Sequence, residues 1–150
     1  MKLSIKLFNN NTITQDILKQ VEEIGANEDM LPIYYESESL YNELLVNNSY
    51  LLIINNEDNI LLSFTIYTIS DDNSIHIKSI CIDSRYKRYK LGSHMLSYLK
   101  SKHHMITLYV QCVNLIAFNF YKKNNFKVIE EVTNYYDTLK DKNAYYMSYN

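Results

Sequence analysis

A short basic run, Lys87-Arg88-Tyr89-Lys90, stands between an isoleucine-rich stretch (Ile75, Ile77, Ile80, Ile82) and a segment in which Leu91, Met95, Leu96 and Leu99 recur. The first pattern predicts a β-strand and the second an amphipathic helix, so residues 83–90 form a polar, basic turn between them. A helix that starts directly after a tight turn points its first backbone N–H groups outward without partners, an arrangement that suits a phosphate. His94, His103 and His104 lie on this helix or just beyond it without ligand spacing and read as surface residues. Cys81 and Cys112 fit no metal or disulfide spacing and read as reduced core thiols, so no metal is expected.

The bulk numbers narrow the setting. A chain of 150 residues with 47% hydrophobic content is about one domain, spanning residues 1–150, with enough apolar material for a core. A net charge of -2 argues against nucleic acid as the main partner. No apolar run approaches the ~20 residues of a membrane span, and the start MKLSIKLFNNN lacks the apolar core of a signal peptide. A cytoplasmic protein with no membrane partner is the default, with the nucleus as the other option.

The elements that must position the basic turn follow from periodicity. Residues 3–8 alternate as a strand, and residues 14–24, with Ile17, Leu18, Val21 and Ile24 on one side, form a helix ended by Gly25. Residues 27–35 are irregular around Pro32, and a second helix covers 37–46. Strands at 50–54 and 60–69 make a hairpin, followed by the strand at 75–82 and the central helix. Then come a strand at 106–112, a helix at 114–123, and strands at 126–132 and 144–149. The economical fold is one α+β domain with a mixed sheet.

Residues 75–96 resemble motif A of the GNAT acetyltransferases, a hydrophobic strand followed by Arg/Gln-x-x-Gly-x-Gly/Ala and a helix. Lys87-Arg88-Tyr89-Lys90-Leu91-Gly92 occupies the motif, with Ser93 after it. Lys87 stands where the family has Arg or Gln, and Lys90 where it has glycine. Lys90 either weakens cofactor binding or adds its charge to the diphosphate. Residues 109–126, YVQCVNLIAFNFYKKNNF, resemble motif B, with Asn114, Ala117, Phe120, Tyr121, Lys123 and Phe126 in place. Asn125 replaces a glycine, a tolerable exchange because Asn accepts the left-handed conformation of a helix C-terminus. Leu31-Pro32-Ile33-Tyr34-Tyr35 and Asn134-Tyr135-Tyr136 resemble the two substrate loops of NatE-type protein Nα-acetyltransferase subunits.

The resemblance implies the GNAT fold, a mixed, mostly antiparallel sheet flanked by about four helices, and acetyl-CoA as cofactor. It places Ile80, Cys81, Ile82, Lys87, Arg88, Tyr89, Lys90, Leu91, Gly92, Ser93, Asn114 and Tyr121 at the cofactor, with a backbone N–H near residues 80–82 on the thioester carbonyl. Asn114 would also cap its helix. It places His76 at the position of the general base, Tyr109 where NatE-type enzymes have a histidine, and Tyr121 at the position of the proton donor to the CoA sulfur. Leu31, Pro32, Ile33, Tyr35, Tyr135 and Tyr136 would form the acceptor slot.

An imidazole matches an α-amino group, whose pKa near ~8 makes deprotonation at neutral pH cost about 1 kcal/mol, against roughly 4 to 5 for lysine. An apolar, aromatic slot suits a chain starting with Met better than a polyamine, which would need clustered carboxylates. Glu36, Glu38 and Glu43 form an acidic run near the mouth, read as a solvated helix face. The expected activity is direct transfer from acetyl-CoA to a protein N-terminus. A small amine or a lysine side chain as acceptor, or a degenerate domain acting as a binding partner, are the alternatives. An auxiliary subunit, a monomer or a weak dimer all stay open.

Overall fold

The computed structural model describes residues 1–28 and 34–150. In chain order they form β1 (Leu3–Phe8), α1 (Gln15–Ala26), α2 (Ser37–Val46), β2 (Tyr50–Asn56), β3 (Leu61–Ile69) and β4 (Ile75–Ile82). A 3-10 segment (Ser84–Tyr89) leads into α3 (Leu91–Lys102), followed by β5 (Ile106–Gln111), α4 (Leu115–Lys123), β6 (Lys127–Val132) and β7 (Ala144–Tyr149). This is the α+β architecture expected from the sequence, a seven-stranded sheet in the order β1-β2-β3-β4-β5-β7-β6.

Every neighbouring pair is antiparallel except β4 with β5, which run parallel because α3 carries the chain back across one face. On that face Leu91, Met95, Leu96 and Leu99 of α3 are buried with Leu52, Ile54, Ile75 and Ile77 of the sheet. Burying each large apolar side chain contributes about 1.5–3 kcal/mol relative to leaving it in water, which pins the helix and the turn before it to the sheet. On the opposite face Leu18, Val21 and Ile24 of α1 and Leu40 and Leu44 of α2 pack on Leu51, Ile53, Phe64, Ile66 and Cys81.

Two local departures from regularity build the site. Residues 75–77 of β4 pair with 106–108 of β5, and beyond that point the two strands are no longer bonded to each other. A cleft therefore opens between the C-terminal halves of the strands and joins the two faces of the sheet. Beside it, Ile66 of β3 lies opposite Ser79 while the next residue, Tyr67, lies opposite Ile77, so Lys78 is the extra residue of a β-bulge.

Several expectations are corrected in detail. Gly25 does not end the first helix; it is buried inside α1, which continues to Ala26 and closes with the Asn27 N–H on the Ile24 and Gly25 carbonyls. Thr14 is the cap rather than the first helical residue, its hydroxyl accepting the Ile17 N–H at 3.2 Å. The fifth strand stops at Gln111, because the Asn114 side chain accepts the Ala117 N–H at 3.1 Å and starts α4 there. His103 is buried, its Nδ1 2.8 Å from the Asn73 carbonyl and its ring edge-on to Tyr67, whereas His94 and His104 are exposed as expected.

The chain has only two glycines, neither at positive φ, and asparagines take most of the left-handed positions among the described residues: Asn48, Asn59, Asn73, Asn125 and Asn134. Asn125 does so immediately after the α4 cap, as the sequence implied. The sixth such residue is Lys90, with φ 56° and ψ 33°.

Candidate active site

A cavity of about 830 Å³ runs through the β4/β5 cleft from the start of α3 to the loop between β6 and β7. Its first end is made almost entirely by consecutive residues. The Asp83 carboxylate accepts the Arg85 N–H at 3.0 Å and opens the 3-10 segment, which turns the chain away from the sheet. Lys90 then takes the left-handed conformation and reverses the chain into α3, whose first internal bond runs from the His94 N–H to the Lys90 carbonyl at 3.1 Å. Among the described residues no side chain caps this helix, so the N–H groups of Leu91, Gly92 and Ser93, which have no intrahelical partner, point at the cavity end. These donors and the helix dipole favour an anion. A Cβ on Gly92 would stand 2.8 Å from Phe120 Cζ and 3.2 Å from Ile82 Cδ1. The missing side chain at Gly92 thus lets α3 and α4 approach each other at the cavity wall.

Of the residues expected at the cofactor, Ile80, Cys81, Ile82, Lys87, Lys90, Leu91, Gly92, Ser93, Asn114 and Tyr121 line the cavity. Arg88 and Tyr89 do not. All three residues are exposed, and Lys87 alone of them reaches the rim of the cavity. The Lys87 ammonium donates to Glu28 at 3.1 Å. Burial pushes the Cys81 thiol up to about 12. Cys112 is half-buried, and both cysteines are free.

The second end draws on distant parts of the chain. His76 on β4 faces away from α3, and its Nδ1 lies 2.8 Å from the Thr107 hydroxyl on the paired strand. With that hydroxyl donating to the Ile75 carbonyl at 3.5 Å, its oxygen accepts from the Nδ1–H tautomer, and among the described residues Nε2 has no bonded partner. Burial, then the nearby Lys78 charge, holds the His76 imidazole below its ordinary range. Tyr109 of β5 packs edge-on to His76 with ring centroids 5.5 Å apart and stacks on Tyr135 at 4.0 Å. Tyr136 completes the row at 4.8 Å from Tyr135. Asn134, in the left-handed conformation, turns the chain just before the pair. Tyr121 of α4 is buried at the centre of the cavity lining, and burial, then Tyr136, raises its phenol far above the ordinary range.

The structure therefore brings together His76, Tyr109, Tyr121, Tyr35, Tyr135 and Tyr136 along one cavity. Leu31, Pro32 and Ile33 lie outside the described residues. Sequence reasoning missed Lys78 and misjudged Glu43. Glu36 and Glu38 are exposed, but the Glu43 side chain is only 10% exposed and bonds Lys78 at 3.0 and 3.1 Å. The available signal was weak: Glu43 sits four residues after a serine and three after the buried Leu40, on the inner stripe of α2.

A sequence profile of the acetyltransferase (GNAT) domain matches residues 14–137. Among solved structures, Ard1 from Thermoplasma volcanium superposes with a TM-score of 0.77 at 20% identity, over 99% of this chain and 97% of that one. Naa50 from Arabidopsis thaliana, in complex with the bisubstrate analogue CoA-Ac-MVNAL, gives 0.73 at 20% identity over 98% and 99%. A mutant of the spermidine N-acetyltransferase SpeG from Vibrio cholerae gives 0.76 at 13% identity over 99% and 93%. At these identities the likeness to the solved structures is one of fold.

Proposed function

The chain belongs to the GNAT acetyltransferase family, whose members are acetyl-CoA-dependent N-acetyltransferases, and on that premise we propose that this enzyme acetylates the α-amino group of a protein or peptide N-terminus. Acetyl-CoA, when bound, supplies the activated acetyl thioester. The residues present fit it: an uncapped helix end with Lys90 beside it, and a cleft between β4 and β5 wide enough to leave the strands unpaired. The N–H groups of Leu91, Gly92 and Ser93 and the Lys90 ammonium would hold the diphosphate. The free backbone edge of residues 80–82 would polarise the thioester carbonyl, and Asn114 and Tyr121 would line the path to it.

On the acceptor side His76 acts as general base. Thr107 holds its Nδ1–H, so Nε2 is the atom that takes the ammonium proton of the incoming amine. An imidazole kept neutral by burial carries no charge to repel that ammonium. Tyr109 orients the ring from its edge. Tyr121 keeps its phenolic proton throughout the working pH range and can give it to a leaving thiolate.

The observation that carries the choice of acceptor is the aromatic row Tyr109–Tyr135–Tyr136 beside His76 at the opening of the cleft. Such a slot buries an apolar first side chain and offers phenols to peptide polar groups. Naa50, of the same fold, was solved with an analogue carrying the peptide MVNAL, which begins with Met. A screen of the purified enzyme with acetyl-CoA against Met-Leu, Ser and Ala peptides, spermidine and an aminoglycoside tests the reading. The highest kcat/KM is expected for the Met-Leu peptide, and a preference for spermidine or the aminoglycoside would reject it.

A further inference from the structure

The acceptor end holds one charged pair that the mechanism above does not use. Lys78 is the bulged residue of β4, and its ammonium donates to both oxygens of Glu43 on α2. The Tyr35 hydroxyl at 3.4 Å and the Ser49 hydroxyl at 2.8 Å donate to the same carboxylate. Burial alone would raise the Glu43 carboxyl, but the bonds from Ser49, Lys78 and Asn47 outweigh it and keep the group ionised below its ordinary range. The carboxylate is thus committed to partners within the wall, its side chain 10% exposed, while the lysine side chain is 26% exposed and is the open member of the pair. Both carboxylate oxygens lie within hydrogen-bond distance of the ammonium, and among the described residues it has no other bonded partner, so donor capacity remains for a ligand in the cavity.

Position gives that donor a purpose. His76 and Lys78 lie two residues apart on the same side of one strand, about 7 Å along it, a span that one aminoacyl residue can bridge. We infer that Lys78 is a specificity-determining residue: it donates a hydrogen bond to the carbonyl oxygen next to the reacting amine, so that accepted amines are those flanked by a carbonyl, as at a peptide N-terminus, rather than aliphatic polyamines. The inference rests on the α-amine reading above. The charge census of the wall agrees with it. Among the described residues the two carboxylates that line the cavity, Glu28 and Glu43, are each paired with a lysine of the same wall, Lys87 and Lys78. A second ammonium on the acceptor would therefore meet lysine, not an uncompensated carboxylate. The bulge shifts the alternation after it: Lys78 stays on the His76 side of the strand while Ile80 and Ile82 join Ile75 and Ile77 on the α3 face.

The test compares methioninamide with 3-(methylthio)propylamine, which is the same amine without the carbonyl. Wild-type enzyme is expected to favour methioninamide in kcat/KM, in part because its α-amine loses a proton more readily than the alkylamine. The Lys78 bond contributes at least about 10-fold of that preference, the effect of one hydrogen bond from a charged donor, and is read from the change in ratio between wild type and variants. Lys78→Met keeps the packing of the stem but removes the ammonium, and the double variant Lys78→Met/Glu43→Gln also avoids stranding a buried carboxylate. Both are expected to lower the amide-to-amine ratio about 10-fold through KM, with the acetyl-CoA Kd unmoved. An unchanged ratio in the variants, or a wild-type ratio near one, overturns the role of Lys78 while leaving peptide acetylation standing. Wild-type activity on spermidine and on no peptide overturns the α-amine reading and this inference with it.

Discussion

The two ends of the cavity are built in opposite ways. The proposed diphosphate end is local: a strand end, a 3-10 turn and the first turn of α3 follow one another within residues 80–93, and hydrophobic burial of α3 fixes them as a unit. The acceptor end is assembled from residues 35, 43, 76–78, 109 and 135–136, which meet only after the sheet has formed. Its polar groups are held by long-range bonds, Lys78 to Glu43 and His76 to Thr107. A local anion site can keep its function while its sequence drifts, because backbone N–H groups do the binding. An assembled site depends on the side chain at each position.

That contrast predicts that damage at one end should leave the other intact. The largest effect is expected at His76: His76→Ala should lower kcat/KM by about 10²-fold or more while the acetyl-CoA Kd, read by titration calorimetry, stays put. A matching loss of acetyl-CoA affinity would mean that the ends are one unit. Tyr121, at the junction, should behave differently. Tyr121→Phe is expected to lower kcat by roughly 10- to 100-fold with both the acetyl-CoA Kd and the acceptor KM little changed, and full activity would remove it from the mechanism.

At the other end, Gly92→Val should push Phe120 and Ile82 apart from α3, cost about 1–3 kcal/mol of stability in a denaturant melt, and weaken acetyl-CoA binding. Lys90→Gly is subtler. It relieves the left-handed strain at φ 56° by about 1 kcal/mol, partly offset by the greater freedom of glycine in the unfolded chain, and removes one cation from the diphosphate. A small rise in Tm together with a higher acetyl-CoA Kd is expected; a lower Kd would show that the lysine obstructs the site.

The smallest effect is in pH dependence. Because burial and Lys78 lower the His76 pKa, its base form persists to more acid conditions, and the acid limb of kcat/KM should fall below pH ~6.5. Lys78→Met should move that limb upward, toward the ordinary histidine value. A limb above pH 7 in the wild type would assign the titration to another group.

Much of this was legible in the chain. The strand over Ile75–Ile82, the helix over Ser37–Val46 and the last strand have the bounds expected from the chain, because each carries apolar residues that are buried against the rest of the fold. Tyr135 and Tyr136 were found through a loop resemblance rather than through periodicity. Gly25 was misread because glycine ends a helix only where a positive φ is needed, and here it is buried inside α1. His103 was misread because burial of a polar ring depends on a partner 30 residues away, the Asn73 carbonyl.

By itself, then, the sequence determined the order of strands and helices and the basic turn that precedes α3, since both arise from contacts between residues close along the chain. Only the tertiary structure decided which side chains meet at the other end of the cavity. The turn of Glu43 toward Lys78 and the parting of β4 from β5 depend on how distant elements pack against each other, which no spacing within a single segment encodes; the bulge at Lys78 left a trace in the chain, the three-residue step from Ile77 to Ile80.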